Sequence, residues 1–172
     1  MEILQDICDL TKYIDMENYS QIEVKRMPTI KVAYLAHVGS FDGIGKAYEK
    51  LIKWANTKGL IGGKMITCYY DNPEVTDIDK IRQNACIELI KEVRTSGDVK
   101  TTTIESGEYV VGKFEVGFNE FEKAWQTMMV WVVEHDYIPN EKQACYEIYH
   151  NNFKNHPQQK SIIEICVPIK SE

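Results

Sequence analysis

The chain lacks the sequence signatures of zinc proteases, nucleophile-elbow hydrolases and nucleotide-binding loops. No HExxH, GxSxG or complete P-loop occurs in its 172 residues. The stretch GSFDGIGKA comes nearest to a phosphate-binding loop, but five residues separate Gly39 from Gly45-Lys46, and Ala47 follows where the loop needs Ser or Thr. This stretch therefore predicts an ordinary turn between a strand and a helix.

Positive charge is scarce. Lysine and arginine number 20 against 26 aspartates and glutamates, which gives a formal net charge of −6. Nucleic-acid binding needs a basic face, so this balance disfavours it. No apolar run reaches the length of a membrane span, and the acidic start MEILQDICDL does not have the layout of a signal peptide. We therefore expect a cytoplasmic protein that contacts neither nucleic acid nor membrane directly.

Paired cysteines and clustered histidines are also missing. The five cysteines form no CxxC pair, and the four histidines show no metal-ligand spacing. We interpret the cysteines as reduced thiols, and we expect no disulfide framework, no metal site and no cofactor. Cys145 near His150 is an alternative as a thiol nucleophile, but nothing nearby argues for a lowered thiol pKa.

Hydrophobic periodicity divides the chain into short elements. Residues 1–20 predict a helical extension, and two extended runs flank Pro28. The segment after Gly39 predicts a helix that ends at Gly59. Its apolar stripe consists of Ile44, Tyr48, Leu51 and Ala55. The runs MITCYYDN and NACIELI then predict two strands.

The order strand, helix, strand, strand occurs twice, over about residues 29–95 and 104–170. In this matching Tyr48 corresponds to Trp125, and YYDN corresponds to IYHN, so that Tyr70 is matched with Tyr149. Each half alone buries little surface. We therefore predict a duplicated α+β fold with pseudo-two-fold symmetry, an antiparallel sheet carrying the helices on one face, and a central ligand cleft.

Glu147 most needs an explanation, because it lies in the strand-like run ACYEIYHNN, and a buried carboxylate is costly without a partner. In a cleft, aromatic rings attract an organic cation by roughly 0.5–2 kcal/mol each, and a carboxylate adds Coulomb attraction. The residues predicted to line this site are Glu147, Tyr149, Tyr70, Trp125, Tyr34, Tyr48 and Phe153. The alternative is a solvated or lysine-paired acid on a strand face, as we expect for Glu88 and Glu164.

Several segments resemble the GyrI-like domain, the effector-binding domain of many AraC-type and MerR-type regulators. They are VAYLAHVGSFDGIGKAYEKLIKWA, YYDNPE, YVVGKFEVG, FEKAWQ and CYEIYHNN followed by EICVPI, within about residues 22–170. The resemblance implies a cleft in which the glutamate of an E-x-Y strand motif meets a cationic ligand. These roles fall on Glu147 and Tyr149. Ser40 departs from the family, in which a proline is common at this position.

The resemblance predicts a GyrI-like domain over residues 21–172, without the DNA-binding domain that usually accompanies it. We expect a stand-alone module that binds small, hydrophobic, cationic molecules and is not an enzyme. Two alternatives stay open. Some GyrI-like proteins hydrolyse strained, cyclopropane-bearing compounds, for which Glu147 and Tyr149 would be the catalytic pair, and others restrain DNA gyrase. A homodimer or a regulator as partner is also left open.

Overall fold

The computed structural model describes residues 21–171, so the helix predicted for residues 1–20 lies outside the described residues. Within this range the elements are β1 (Ile22–Met27), β2 (Ile30–Val38), α1 (Ile44–Lys58), β3 (Met65–Tyr69), β4 (Arg82–Glu88), β5 (Lys100–Ile104), β6 (Gly107–Val116), α2 (Phe121–Glu134), β7 (Cys145–Tyr149) and β8 (Ser161–Pro168). The α+β fold class is therefore confirmed. Strand β5 was not predicted.

The chain forms two compact units. Of the described residues, unit 1 holds 21–27, 108–141 and 149–171, and unit 2 holds 28–107 and 142–148. The strand order is β1-β6-β8 in unit 1 and β7-β3-β4-β2-β5 in unit 2. The strand pairs β6–β8, β2–β4, β2–β5 and β3–β4 are antiparallel. The pseudo-two-fold axis and the central cleft stay predictions.

In unit 2, helix α1 packs on one face of the sheet, as its apolar stripe predicts. Leu51 and Ala55 of the helix are buried against alternate residues of β2 and β4, and each fully buried leucine stabilises the fold by about 1.5–3 kcal/mol. The strand residues in this cluster are Ala33, Leu35, Ala85 and Ile87. The helix ends at Gly59, whose φ of 69° is the left-handed conformation that glycine adopts without strain.

Because side chains alternate along a strand, the residues between these cluster members lie on the opposite face of the unit 2 sheet. Tyr34 of β2 lies there, directly across from Cys86 of β4. Cys68 of β3 lies there too, directly across from Asn84 of β4. Unit 2 thus has a face that carries α1 and a second face that carries these tyrosine, thiol and amide groups.

In unit 1, Glu164 of β8 forms the ion pairs expected for a mid-strand acid. Its carboxylate lies 3.3 Å from Lys25 Nζ and 2.6 Å from His150 Nε2. Burial alone would raise the pKa of Glu164, but Lys25 and His150 together outweigh it and hold the pKa below its ordinary value. The expectation that Glu164 pairs with lysine is confirmed.

Candidate functional site

Two turns with the same hydrogen bonds define how the repeats correspond. After β3, Asp71 Oδ2 accepts a bond of 2.8 Å from the backbone N–H of Arg82. After β7, Asn151 Oδ1 accepts a bond of 2.7 Å from the backbone N–H of Ile162. In both turns the next residue is an asparagine that accepts from the backbone N–H two residues later. Asp71 therefore corresponds to Asn151, an offset of 151 − 71 = 80 residues.

This offset differs by one residue from the matching predicted from the sequence. The backbone N–H of Tyr70 donates to Arg82 and that of His150 donates to Ile162, so Tyr70 corresponds to His150. The sequence comparison matched Tyr70 with Tyr149 because both are tyrosines, and that matching was wrong. By the same offset, Tyr69 corresponds to Tyr149, and Thr67 corresponds to Glu147. Strands β3 and β7 also show the same burial pattern along their lengths.

Tyr48 shows which face of the sheet carries Thr67. It projects from α1, and its hydroxyl donates to the backbone carbonyl of Ile66 at 2.8 Å. The same hydroxyl lies 2.6 Å from Thr67 Oγ1. Thr67 is thus on the face covered by α1, and Glu147 occupies the matching position of the other repeat on β7.

Glu147 is buried in unit 2, with 2% of its surface exposed between the buried Tyr146 and Ile148. The pKa of the Tyr48 hydroxyl is raised well above its ordinary value. Burial is the largest cause, and the negative charge of Glu147 is among the others. The carboxyl group is therefore within electrostatic reach of Tyr48, on a side chain that does not extend into bulk water.

An aromatic pair that the sequence did not predict lies on the same side of unit 2. Tyr69 alternates with Cys68 and so shares the face of Thr67. Its ring meets that of Phe41 edge to face, with centroids 5.7 Å apart and planes at 70°. Phe41, just before α1, is 39% exposed. Two adjacent tyrosines, Tyr69 and Tyr70, are visible in the sequence. The repeat matching placed Tyr70 in the predicted site, and so Tyr69 was missed.

Two of the predicted site residues lie on the opposite face. Tyr70 accepts a bond of 2.9 Å from Asn84 Nδ2. Its pKa is raised by burial and then by the thiols of Cys68 and Cys86, with Tyr34 as a smaller cause. The structure thus brings Tyr34 and Tyr70 together with thiols, but not on the face of Thr67. Their contact with a ligand beside Glu147 stays a prediction.

The remaining predicted residues belong to unit 1. Trp125 on α2 and Tyr149 at the end of β7 are half-buried, and Phe153 is exposed. A cleft of about 520 Å³ also lies in unit 1, and none of the predicted site residues lines it. Its lining residues are Val24, Arg26, Glu108, Tyr137, Ile169, Lys170 and Ser171. The predicted roles of Trp125, Tyr149 and Phe153 stay predictions.

Between residues 21 and 171, no three or more His, Cys, Asp or Glu side chains are grouped so as to hold a metal ion. Neither α1 nor α2 is long and apolar enough to cross a membrane.

Comparison with known proteins identifies the family. Residues 20–170 match the family model of the GyrI-like small molecule binding domain. The chain belongs to the GyrI-like family. The DNA gyrase inhibitor of Escherichia coli strain K12 is 26% identical over 134 residues, which cover 76% of this chain and 85% of the inhibitor.

Solved structures of low identity share the GyrI-like fold. The EcmrR C-terminal domain superposes with a TM-score of 0.69 at 18% identity, covering 88% of this chain and 98% of that domain. A hydrolase from Listeria innocua superposes with a TM-score of 0.64 at 14% identity, covering 87% of this chain and 92% of the hydrolase. The chain is therefore similar in fold to proteins with different described functions.

Proposed function

We propose that this GyrI-like domain binds small, hydrophobic, cationic organic molecules beside Glu147. The observation that carries the proposal is the burial of this glutamate, which is 2% exposed on strand β7 of unit 2. Burying a carboxylate costs several kcal/mol unless charge and hydrogen bonds compensate for it. A cation brought beside this carboxylate would gain Coulomb stabilisation in surroundings that water screens poorly.

The groups near Glu147 suit a carboxylate that meets a cation. Tyr48 and its hydrogen-bond partner Thr67 carry neutral hydroxyl groups, and the raised pKa of Tyr48 extends its protonated range into alkaline pH. They can hydrogen-bond but add no positive charge of their own. At an effective dielectric constant of 20, a cation about 4 Å from the carboxylate gains roughly 4 kcal/mol before its own desolvation is subtracted.

Aromatic surface on the same face supplies the hydrophobic part of the proposed site. Tyr69 and Phe41 form an edge-to-face pair that stands at the surface end of the face carrying Thr67. Ring faces attract organic cations by about 0.5–2 kcal/mol each and bury apolar groups equally well. We therefore assign affinity to the aromatic residues and selection of charge to Glu147.

The test compares two guests of similar shape, the tetraphenylphosphonium cation and neutral triphenylphosphine oxide, by isothermal titration calorimetry. Glu147→Gln keeps the shape of the side chain and removes its charge. We expect it to weaken the cation at least about tenfold, or about 1.4 kcal/mol, and the neutral guest less than about twofold. Glu164→Gln, which removes an acid from unit 1, is the matched control and should change neither affinity.

An equal loss for both guests in Glu147→Gln would contradict the assignment of charge selection to this residue. Tyr69→Ala separates the aromatic contribution, because it should weaken both guests to a similar extent. If Tyr69→Ala leaves both affinities unchanged, the aromatic part of the proposal is wrong, whereas the role of Glu147 is judged by the first comparison.

A second candidate is hydrolysis of a bound guest, since a buried glutamate can also serve as a general base. The structural likeness to the Listeria hydrolase shows the fold alone, so turnover must be measured. A strained cyclopropane-bearing compound that is consumed by the protein, and no longer consumed by Glu147→Gln, would favour the hydrolase. A compound recovered intact after long incubation at saturating protein would favour binding alone.

The names of the curated relatives also favour a test against DNA gyrase. A supercoiling assay with excess protein measures this directly. Inhibition that persists in Glu147→Gln would place the contact with gyrase away from the small-molecule site.

A further inference from the structure

We propose that Cys68 and Cys86 form a two-coordinate site for a soft monovalent metal ion, with Cu(I) as the ion whose chemistry fits. The two thiols are buried on neighbouring strands, and their sulfur atoms lie 3.9 Å apart. They are on the sheet face opposite Thr67, so this inference does not depend on the function proposed for Glu147.

The separation of the sulfur atoms fits a bridging ion. Metal–thiolate bonds of about 2.3 Å put two sulfur atoms about 3.8 Å apart at a tetrahedral angle and about 4.6 Å apart in a linear arrangement. The observed 3.9 Å lies close to the tetrahedral value, so a linear two-coordinate ion would need the sulfur atoms about 0.7 Å farther apart, a change that rotation of the two side chains would have to supply.

The strand register disfavours a disulfide between the same two residues. Cys68 lies across from Asn84, and Cys86 lies across from Ile66, so the two cysteines occupy diagonal positions. Diagonal residues in an antiparallel pair are about 7–8 Å apart, whereas a disulfide usually spans Cα atoms 4.4–6.8 Å apart. The sulfur atoms would also have to approach to about 2.05 Å. Closing a disulfide would therefore require the strands to shift, and holding an ion would not.

The number of ligands restricts the kind of ion. A structural zinc site takes four protein ligands, and calcium takes six to eight oxygen atoms. The part of the chain that the structure describes groups no three metal-binding side chains together. Soft ions such as Cu(I) prefer thiolates and accept two of them. The phenols of Tyr34 and Tyr70 lie on the same face, Cys145 is within electrostatic reach of Cys68, and the backbone carbonyl of Asn84 lies 3.6 Å from Cys86 Sγ.

Binding exchanges protons for the metal. One Cu(I) ion and two thiols give a dithiolate complex with a charge of −1 and release two protons, and copper remains in its +1 state throughout. The contact with Cys68 and burial raise the pKa of the Cys86 thiol, so the metal has to displace the Cys86 proton.

The test titrates the reduced 172-residue chain with Cu(I) under anaerobic conditions in competition with the chromophoric chelator bathocuproine disulfonate. We expect one Cu(I) ion per chain to be taken from the chelator, and Cys68→Ser or Cys86→Ser to abolish this uptake. Cys8→Ser and Cys166→Ser are matched controls that should retain it. Cys145→Ser should also retain it, and loss of uptake in that variant would overturn the two-coordinate assignment.

X-ray absorption on the copper-loaded natural chain tests the proposal even if a serine variant fails to fold. Two sulfur neighbours and no nitrogen or oxygen neighbour are expected. No uptake against the chelator, uptake that persists in both Cys68→Ser and Cys86→Ser, or a nitrogen-rich copper environment would each overturn the proposal. In those cases the thiols are two small core residues in contact.

Discussion

Replacing Tyr48 by phenylalanine tests the hydrogen-bonded contact between α1 and β3. The change removes one hydroxyl group and keeps the ring. It leaves the Ile66 carbonyl and Thr67 Oγ1 without the partners they have at 2.8 Å and 2.6 Å. At pH 7 we expect a loss of about 1–2 kcal/mol in the free energy of unfolding, the usual cost of removing one partner from a buried hydrogen bond.

The same substitution should reduce the loss of stability at alkaline pH. The folded-state pKa of Tyr48 is raised well above the value of about 10 in an unfolded chain, so above pH 10 the unfolded chain releases a proton that the folded chain keeps. The contribution of Tyr48 to the free energy of unfolding is therefore fully present well below pH 10 and decreases as the pH rises above it. Linkage gives a loss of about 1.3 kcal/mol between pH 9.5 and pH 11, which Tyr48→Phe should not show.

Urea denaturation followed by circular dichroism at several pH values measures this difference. The natural chain and Tyr48→Phe differ by one titrating group, so contributions from other tyrosines and thiols cancel in the comparison. Tyr137→Phe, which removes a surface phenol from unit 1, is the control and should follow the natural chain. If the natural chain and Tyr48→Phe lose stability in parallel above pH 10, the pKa of Tyr48 is the same in the folded and the unfolded chain. That result would refute the buried hydrogen-bonded contact of Tyr48.

Substitutions at Gly63 and Asp71, each with a comparison variant, test close backbone approach and the repeated turn. A Cβ atom at Gly63 would collide with the backbone carbonyl of Glu88, so Gly63→Ala should lower the urea midpoint by an amount equivalent to about 1–3 kcal/mol. Gly45→Ala, where the Cβ meets open space within α1, should raise the midpoint, and similar losses in both variants would contradict the collision. Asp71→Asn keeps an acceptor for the Arg82 N–H, as the other repeat does, whereas Asp71→Ala removes it and should cost about 1 kcal/mol more in thermal or urea unfolding. Equal stability of the two Asp71 variants would show that this bond does not hold the turn.

The elements with strong periodicity could be predicted from the sequence, because burial on one face imposes the pattern. The stripe on α1 and the stop at Gly59 are examples, and both agree with the structure. Strand β5 could not be found in this way. Four of its five residues are exposed, and it is held by backbone pairing to β2, which leaves no alternation to detect.

The candidate site was predicted only in part, because its geometry depends on register. Glu147 stands out in the sequence as a lone acid in an apolar strand, and it is buried. The aromatic partners of an acid depend on which residues share its face, and a shift of one residue exchanges the two faces of a strand. Matching Tyr70 with Tyr149 introduced such a shift. The side-chain hydrogen bonds of Asp71 and Asn151 corrected it, and these bonds are not evident in residue letters alone.

The correspondence between Thr67 and Glu147 limits the charge that the proposed guest can carry. A duplicated scaffold offers the same position twice, and here one copy holds an acid whereas the other holds a neutral alcohol. In the proposed site, Glu147 would supply one negative charge toward a monocation, and Thr67 would supply none toward the second charge of a dication. Thr67→Glu would make the two positions alike, and the preference should then move toward guests with two positive ends.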